Sequence, residues 1–299
     1  MVVGLPRLGR WGRAGAALHR AGAGAGRGAC GDDASRAAVT EEPASGLPGS
    51  LLFAPAEARQ DLVILLIHGG GFRTGDPGQL RTLAGLLASR TGARVLSPWY
   101  RLAPEHPYPA GLEDCERAYD VARELAPRVV VGGESAGANL AAALLLRRRA
   151  AGDASPLAGV LFSGVYDLRT ERYRAGSWTS NAASDQVLTA GAGPIMQRDY
   201  APGGAGDPGI SPLLADLAGL PPLLVMASSA ELLLDDSIEF AVKAGRAGVE
   251  TVLEIWPGMP HSWSVHTGLL PEGVEAAERA AAFIVRVATG RVVDGAALA

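Results

Sequence analysis

A chain of 299 residues that is 48% hydrophobic and 19% charged has ample material for a large core, which excludes an intrinsically disordered protein. Its formal net charge of −4 leaves no polycationic face for nucleic acid, and no apolar run reaches the roughly 18 to 20 residues that cross a bilayer. Cys30 and Cys115, the only two cysteines, stand in no metal or redox spacing, so no disulfide framework, metal site or thiol active site is expected, and a reducing cytoplasm fits.

In chain order, Met1 to Gly31 carries Arg7, Arg10, Arg13, Arg20 and Arg27 without one acidic residue, and an alternating Ala/Gly run from Ala21 to Gly26. Its charge resembles a targeting peptide, but the apolar core of a secretory signal is missing. The glycines do not form Gly-x-Gly-x-x-Gly after a strand, so a dinucleotide site is rejected. Residues 1–50 are expected to be an N-terminal tail or cap segment, partly disordered or loosely helical.

From Leu51 to the end, strand-like and helix-like patterns alternate. That argues for an α/β domain over residues 51–299, with a mainly parallel sheet covered by helices on both faces. Predicted strands are Leu62 to Ile67, Arg94 to Ser97, Arg128 to Gly132, Gly159 to Phe162, Leu223 to Ala227 and Thr251 to Trp256. Predicted helices begin near Gln79, Leu112, Ala136, Leu233 and Glu272. Arg169 to Asp207 breaks the alternation with Trp178, Pro194 and Pro202, and is expected to form a lid or substrate wall, the alternative being a solvated loop with a helical turn or two. Ligands of such sheets bind beyond the carboxyl ends of the strands.

Chemistry gathers at those ends. The buried-strand pattern Val129 to Val131 runs into Gly133-Glu134-Ser135-Ala136-Gly137 and then into a helix pattern. A serine nucleophile must project from a tight strand-to-helix turn, which flanking glycines permit, so Ser135 is the candidate nucleophile. His68-Gly69-Gly70-Gly71 follows another strand; glycine amides there can turn toward a developing oxyanion, joined by the N–H of Ala136. A phosphate loop would need a Lys-Ser/Thr ending, which is absent. Lys243, the only lysine, falls mid-helix, which disfavours a Ser-Lys mechanism.

Serine needs a base, and His261 follows a strand and the turn Pro257 to Pro260. His266 is the weaker choice, while His68 and His106 read as loop-shaping. Glu231 lies nearest the end of the strand closing at Ala227 and is the expected acid; Asp235 is held in reserve, because it and Asp236 read as first-turn helix acids.

These motifs, with Tyr100-Arg101-Leu102-Ala103-Pro104-Glu105-His106-Pro107 and Gly258-Met259-Pro260-His261, occur in an order that resembles the bacterial hormone-sensitive-lipase-like esterases of the α/β-hydrolase fold. The resemblance runs from about Leu62 to Phe283. It implies Ser135 as nucleophile, His261 as base, Gly70, Gly71 and Ala136 as oxyanion donors, and no cofactor or metal. Two residues depart from the family: Glu231 replaces its usual aspartate, and Glu134 stands where aspartate is common. The implied substrate is a small-molecule acyl ester or N-acetyl compound, and the general look is that of acetyl-hydrolases acting late in antibiotic biosynthesis. Lactone hydrolases and amidases with the same triad, and a non-catalytic binding protein on this scaffold, are the alternatives. If neutral His261 is the base, the rate should fall below a pH of about 6 to 7.

Overall fold

Six consecutive apolar residues, Leu62–Ile67, form a strand with no exposed side chain. Such a run is stable only where both faces of a sheet are covered. In the computed structural model, which describes residues 39–152 and 155–290, that condition holds across the middle of an eight-stranded sheet. The arginine-rich segment, the Ala/Gly run, His19 and Cys30 lie outside the described residues.

In chain order the elements are β1 (Val39–Pro43), β2 (Leu51–Pro55), β3 (Leu62–Ile67), α1 (Arg81–Thr91), β4 (Arg94–Ser97), α2 (Ala110–Leu125), β5 (Arg128–Glu134) and α3 (Ala136–Ala151). They continue with β6 (Ala158–Phe162), α4 (Ser177–Ser180), α5 (Ala192–Tyr200), β7 (Leu223–Ser228), α6 (Leu234–Arg246), β8 (Thr251–Trp256) and α7 (Pro271–Thr289). The sheet order is β1-β2-β4-β3-β5-β6-β7-β8. From β4 to β8 all neighbours are parallel, and β2 runs antiparallel to both β1 and β4.

Strand side chains alternate between two cores, as a two-residue period requires. Val63, Leu65 and Ile67 join α2, α3 and α6 on one face, where Leu112, Leu140, Leu144 and Phe240 are buried. Leu62, Ile64 and Leu66 join α1 and α7 on the other, with Leu83, Leu87, Ala280 and Ile284. The chain leaves β3 toward β4 and returns to β5 on the opposite side, so the strand order reverses between β3 and β5. Open α/β sheets present their ligand crevice at such a point.

One strand of the sheet lies before Leu51: Val39–Pro43 pairs along its whole length with β2, and residues 44–50 form the turn between the two. The sequence hides this strand because four of its five residues are exposed, and an edge strand bound through its backbone needs no apolar pattern.

Glycines mark where backbones meet. A Cβ on Gly137 would stand 2.1 Å from the Ile67 carbonyl oxygen, whereas one on Gly85, inside α1, would meet nothing within 4 Å. Gly137→Ala should therefore cost about 3 kcal/mol or more, a fall in Tm of roughly 6 °C or more. Gly85→Ala should gain about 0.5–1 kcal/mol, because a helix interior favours alanine. Thermal melts of the two variants beside wild type check both signs.

Candidate active site

The register fixes the neighbourhood before any side chain is placed. Ile67 pairs with Gly133, so the loop after β3 and the turn after β5 leave the sheet side by side. The ends of β7 and β8 adjoin in the same way through Ser228 and Trp256.

Ser135 occupies the turn between β5 and α3 with φ 56° and ψ −119°, a backbone state that side chains rarely hold. Its amide donates to the Phe162 carbonyl at the end of β6 at 2.8 Å. Gly133 and Gly137 make the turn possible, since a Cβ on Gly133 would stand 2.2 Å from the Gly137 carbonyl oxygen. The 16-residue α3 points its N-terminal partial positive charge at this turn.

Across from Ser135 runs the glycine loop. Gly70 and Gly71 have φ of 109° and 62°, and a Cβ on Gly70 would fall 2.0 Å from the Thr74 carbonyl oxygen. His68 is fully buried, which pushes its pKa down to about 4, and its neutral ring donates from Nδ1 to the Gly69 carbonyl at 2.8 Å. Tyr100 stacks on that ring at 4.2 Å and donates its hydroxyl to the His68 carbonyl at 3.0 Å. The Tyr100-Arg101 segment is braced in turn by Asp114, which accepts the Arg101 amide at 2.7 Å. Among the described residues, the N–H groups of Gly70, Gly71 and Ala136 have no acceptor.

Three side chains from three strand ends form one line. His261 Nε2 is 2.9 Å from Ser135 Oγ, and its Nδ1 is 2.7 Å from Glu231 Oε2. All three residues are buried. The other oxygen of Glu231 accepts the Ser228 amide at 2.7 Å, which pins the longer glutamate arm against the end of β7. Asp235 is turned elsewhere, accepting the Ser177 amide at 2.7 Å, and Asp236 accepts the amides of Tyr166 and Asp167 at 3.0 Å each. His261, rather than His266, is thus the imidazole bonded to Ser135. His106 is exposed on the segment that follows Tyr100.

A second carboxylate approaches the same imidazole. Glu134 Oε1 lies 3.8 Å from His261 Nε2 and accepts a short hydrogen bond from the Ser262 hydroxyl. Ser262 itself has φ 65°, so that bond holds the residue after His261 in a left-handed turn. Burial alone would lower the His261 pKa. The Glu231 hydrogen bond and charge, with Glu134 and Asp185 adding to them, overcome burial and hold it above the ordinary imidazole value near 6.5.

Sequence reasoning missed the polar ties that steady the acid loop. Asn181 donates to the Glu231 carbonyl at 2.9 Å, Asp185 accepts the Leu232 amide at 2.8 Å, and the Ser177 hydroxyl donates to the Leu232 carbonyl at 2.7 Å. These residues sit some fifty positions from their partners, and no local pattern announces them. Ser228 adds a tie between the loops, donating its hydroxyl to the Met259 carbonyl at 2.5 Å. A separate crevice of about 250 Å³, lined by Asp167, Arg169, Arg172, Trp178 and Asp235 among others, includes none of Ser135, His261 and Glu231. Among the described residues no group of three or more His, Cys, Asp or Glu is placed to hold a metal ion.

A parallel sheet with a strained serine turn, an imidazole and a buried carboxylate at successive strand ends defines a serine hydrolase on the α/β-hydrolase fold. Comparison with known proteins makes the family specific. Residues 64–265 match the model of a family described as alpha/beta hydrolase fold. An acetyl-hydrolase of Streptomyces hygroscopicus is 40% identical over 238 residues, 78% of each chain. An esterase of Acinetobacter venetianus is 37% identical over 78% of this chain and 77% of that one. An esterase crystal structure from the bacterial hormone-sensitive lipase family superposes with a TM-score of 0.77 at 37% identity over 85% of each chain. The chain belongs to the hormone-sensitive-lipase-like α/β-hydrolases.

The carboxylates around His261 move the expected pH response. They favour the imidazolium, whereas a base must be neutral, so activity should appear as pH rises through a value above 6.5 rather than within the 6 to 7 expected from an ordinary histidine. Glu134→Gln removes one of those charges and should shift the acid limb of kcat/KM toward lower pH. Profiles of both proteins on one ester check it; an unmoved limb counts against Glu134.

Proposed function

We propose that this protein is a carboxylesterase and acetyl-hydrolase that removes short acyl groups, acetyl foremost, from small molecules through an acyl-enzyme on Ser135. The observation that carries this reading is the unbroken line from Ser135 Oγ through His261 to Glu231, at 2.9 and 2.7 Å. The acetyl-hydrolase of Streptomyces hygroscopicus supports acetyl as the acyl part. A non-catalytic binding role would be expected to leave the line broken. A cytoplasmic location is part of this proposal; among the described residues the buried Cys115 thiol is unpaired, which is in keeping with it.

His261 Nε2 takes the Ser135 proton as Oγ bonds to the substrate carbonyl carbon, and the carbonyl π pair moves onto oxygen. The N–H groups of Gly70, Gly71 and Ala136 meet that oxyanion, assisted by the N-terminus of α3. Glu231 fixes Nδ1 as the protonated nitrogen and stabilises the imidazolium. The imidazolium then gives its Nε2 proton to the departing alcohol or amine as the tetrahedral centre collapses to the acyl-enzyme. Water enters, loses a proton to His261 and attacks the acyl carbon; Ser135 recovers its proton as the acid departs.

Hydrolysis of a p-nitrophenyl ester series from acetate to long chain, followed by N-acetyl substrates, tests the reading. Wild type should favour the short esters and Ser135→Ala should show no turnover above background. Glu231→Gln should lower kcat by roughly 10³–10⁴, the scale of a lost triad acid, while Asp235→Asn should stay within about fivefold of wild type. Equal losses in the two acid variants would overturn the assignment of Glu231.

A further inference from the structure

Helix α5 lies along the glycine loop and meets three successive loop residues with one face. Met196 packs on Gly71, its Cγ and Sδ 3.4 and 3.5 Å from where a Cβ on that glycine would stand. Asp199 pairs with Arg73 at 2.6 Å. Tyr200 stacks on Phe72 with ring centroids 3.9 Å apart and planes 8° from parallel. Positions 196, 199 and 200 are spaced i, i+3, i+4, which places all three side chains on the same side of a helix.

The loop needs such support. Phe72 has φ 64°, directly after Gly70 and Gly71 at 109° and 62°, and a residue with a Cβ seldom holds that conformation unaided. Within the loop, the amides of Arg73 and Thr74 and the Thr74 hydroxyl all converge on the one Gly70 carbonyl at 3.1 Å each, and none of these bonds is made by Gly71 or Phe72. The buried Phe72 ring is held between its own backbone, whose carbonyl accepts the Ala103 amide at 2.8 Å, and the face of Tyr200. Tyr200 is anchored in turn, because its carbonyl accepts the Tyr108 amide at 2.8 Å and the Tyr108 ring meets its own edge-on at 6.0 Å. Among the described residues its buried hydroxyl has no partner, so the ring rather than the oxygen supports the loop.

We propose that Tyr200 is a positioning residue for the oxyanion donors: by holding Phe72 in its left-handed turn it sets the aim of the Gly70 and Gly71 N–H groups. Helix α5 is thus a support of the catalytic loop as well as a wall of the insertion. The inference rests on the proposed hydrolysis, in which those amides meet the oxyanion. Donors that drift lose transition-state stabilisation while ground-state binding is spared, so kcat rather than KM carries the effect.

The test compares wild type, Tyr200→Leu and Tyr200→Phe on p-nitrophenyl acetate, with active sites titrated by a p-nitrophenyl phosphonate. Affinity for a small trifluoromethyl ketone, whose adduct with Ser135 places an oxyanion at the loop, is measured alongside. Tyr200→Leu should lose about tenfold or more in kcat per titrated site, with KM within about threefold and ketone affinity falling in parallel. Tyr200→Phe keeps the stack and should stay within about twofold on each measure. A general loss of folded protein would lower the titrated fraction and leave kcat per site unchanged. Should Tyr200→Leu fail to fold, Arg73→Gln, which breaks the half-exposed pair with Asp199, should lower kcat and ketone affinity together by about threefold. An active wild type beside an equally active, fully titrated Tyr200→Leu, or an unchanged Arg73→Gln in its place, overturns this inference alone. A wild type inert to both ester and ketone overturns the proposed hydrolysis and this inference with it.

Discussion

Contact of backbone on backbone, at the point where α3 leaves β5, is the constraint from which the rest of the site follows. Gly137 sits so close to the carbonyls of Ile67 and His68 that a methyl group there would lie 2.1 and 2.5 Å from their oxygens. The first turn of α3 is thereby pressed against the end of β3, and the serine before it is drawn up to the loop that follows His68. Gly69 approaches from the other side, where a Cβ would stand 2.2 Å from Glu134 Oε2. Packing at this density deforms little, so the serine and the loop amides keep a fixed separation. The imidazole and its acid arrive on separate strands and need only reach a point already defined.

Electrostatics complete what sterics begin, and they pull in two directions. An imidazole taken out of water prefers to be neutral, while a carboxylate on either side prefers it charged. Glu231 and Glu134 both lie against His261, so in the proposed reaction the carboxylates that stabilise the imidazolium also favour its resting protonation. The glutamate in place of an aspartate does not loosen this arrangement. Its second oxygen is held by the Ser228 amide, so the additional methylene is taken up by the turn and not by the bond to His261.

Much of the fold was legible in the sequence for a simple reason. Strands covered on both faces read as apolar runs, and Leu62–Ile67 and Arg94–Ser97 form with the predicted limits; so does Thr251–Trp256, a partly exposed edge strand whose pattern is still β-branched and apolar. Val39–Pro43 left no such trace, because pairing through the backbone at an exposed edge asks nothing of the side chains. That Ser135, Glu231 and His261 would meet was legible because each follows a strand within a few residues, and Asp235 could be set second because it falls in the first turn of a helix. What the sequence concealed is cooperation at a distance. The Ser262 bond to Glu134 spans 128 positions and the Asn181 bond to Glu231 spans 50, and neither has a periodicity to betray it.

The insertion after β6 touches the site at two unrelated places. Its first half, through Ser177, Asn181 and Asp185, is bonded to the loop carrying the carboxylate, and its second half lies on the glycine loop. A segment with these attachments is not an interchangeable cover. Substituting the corresponding stretch of a relative in order to change which molecules enter would carry along a new set of braces for both loops. On the proposed hydrolysis, a graft therefore retains catalytic power only when the donor segment brings equivalents of both sets of contacts.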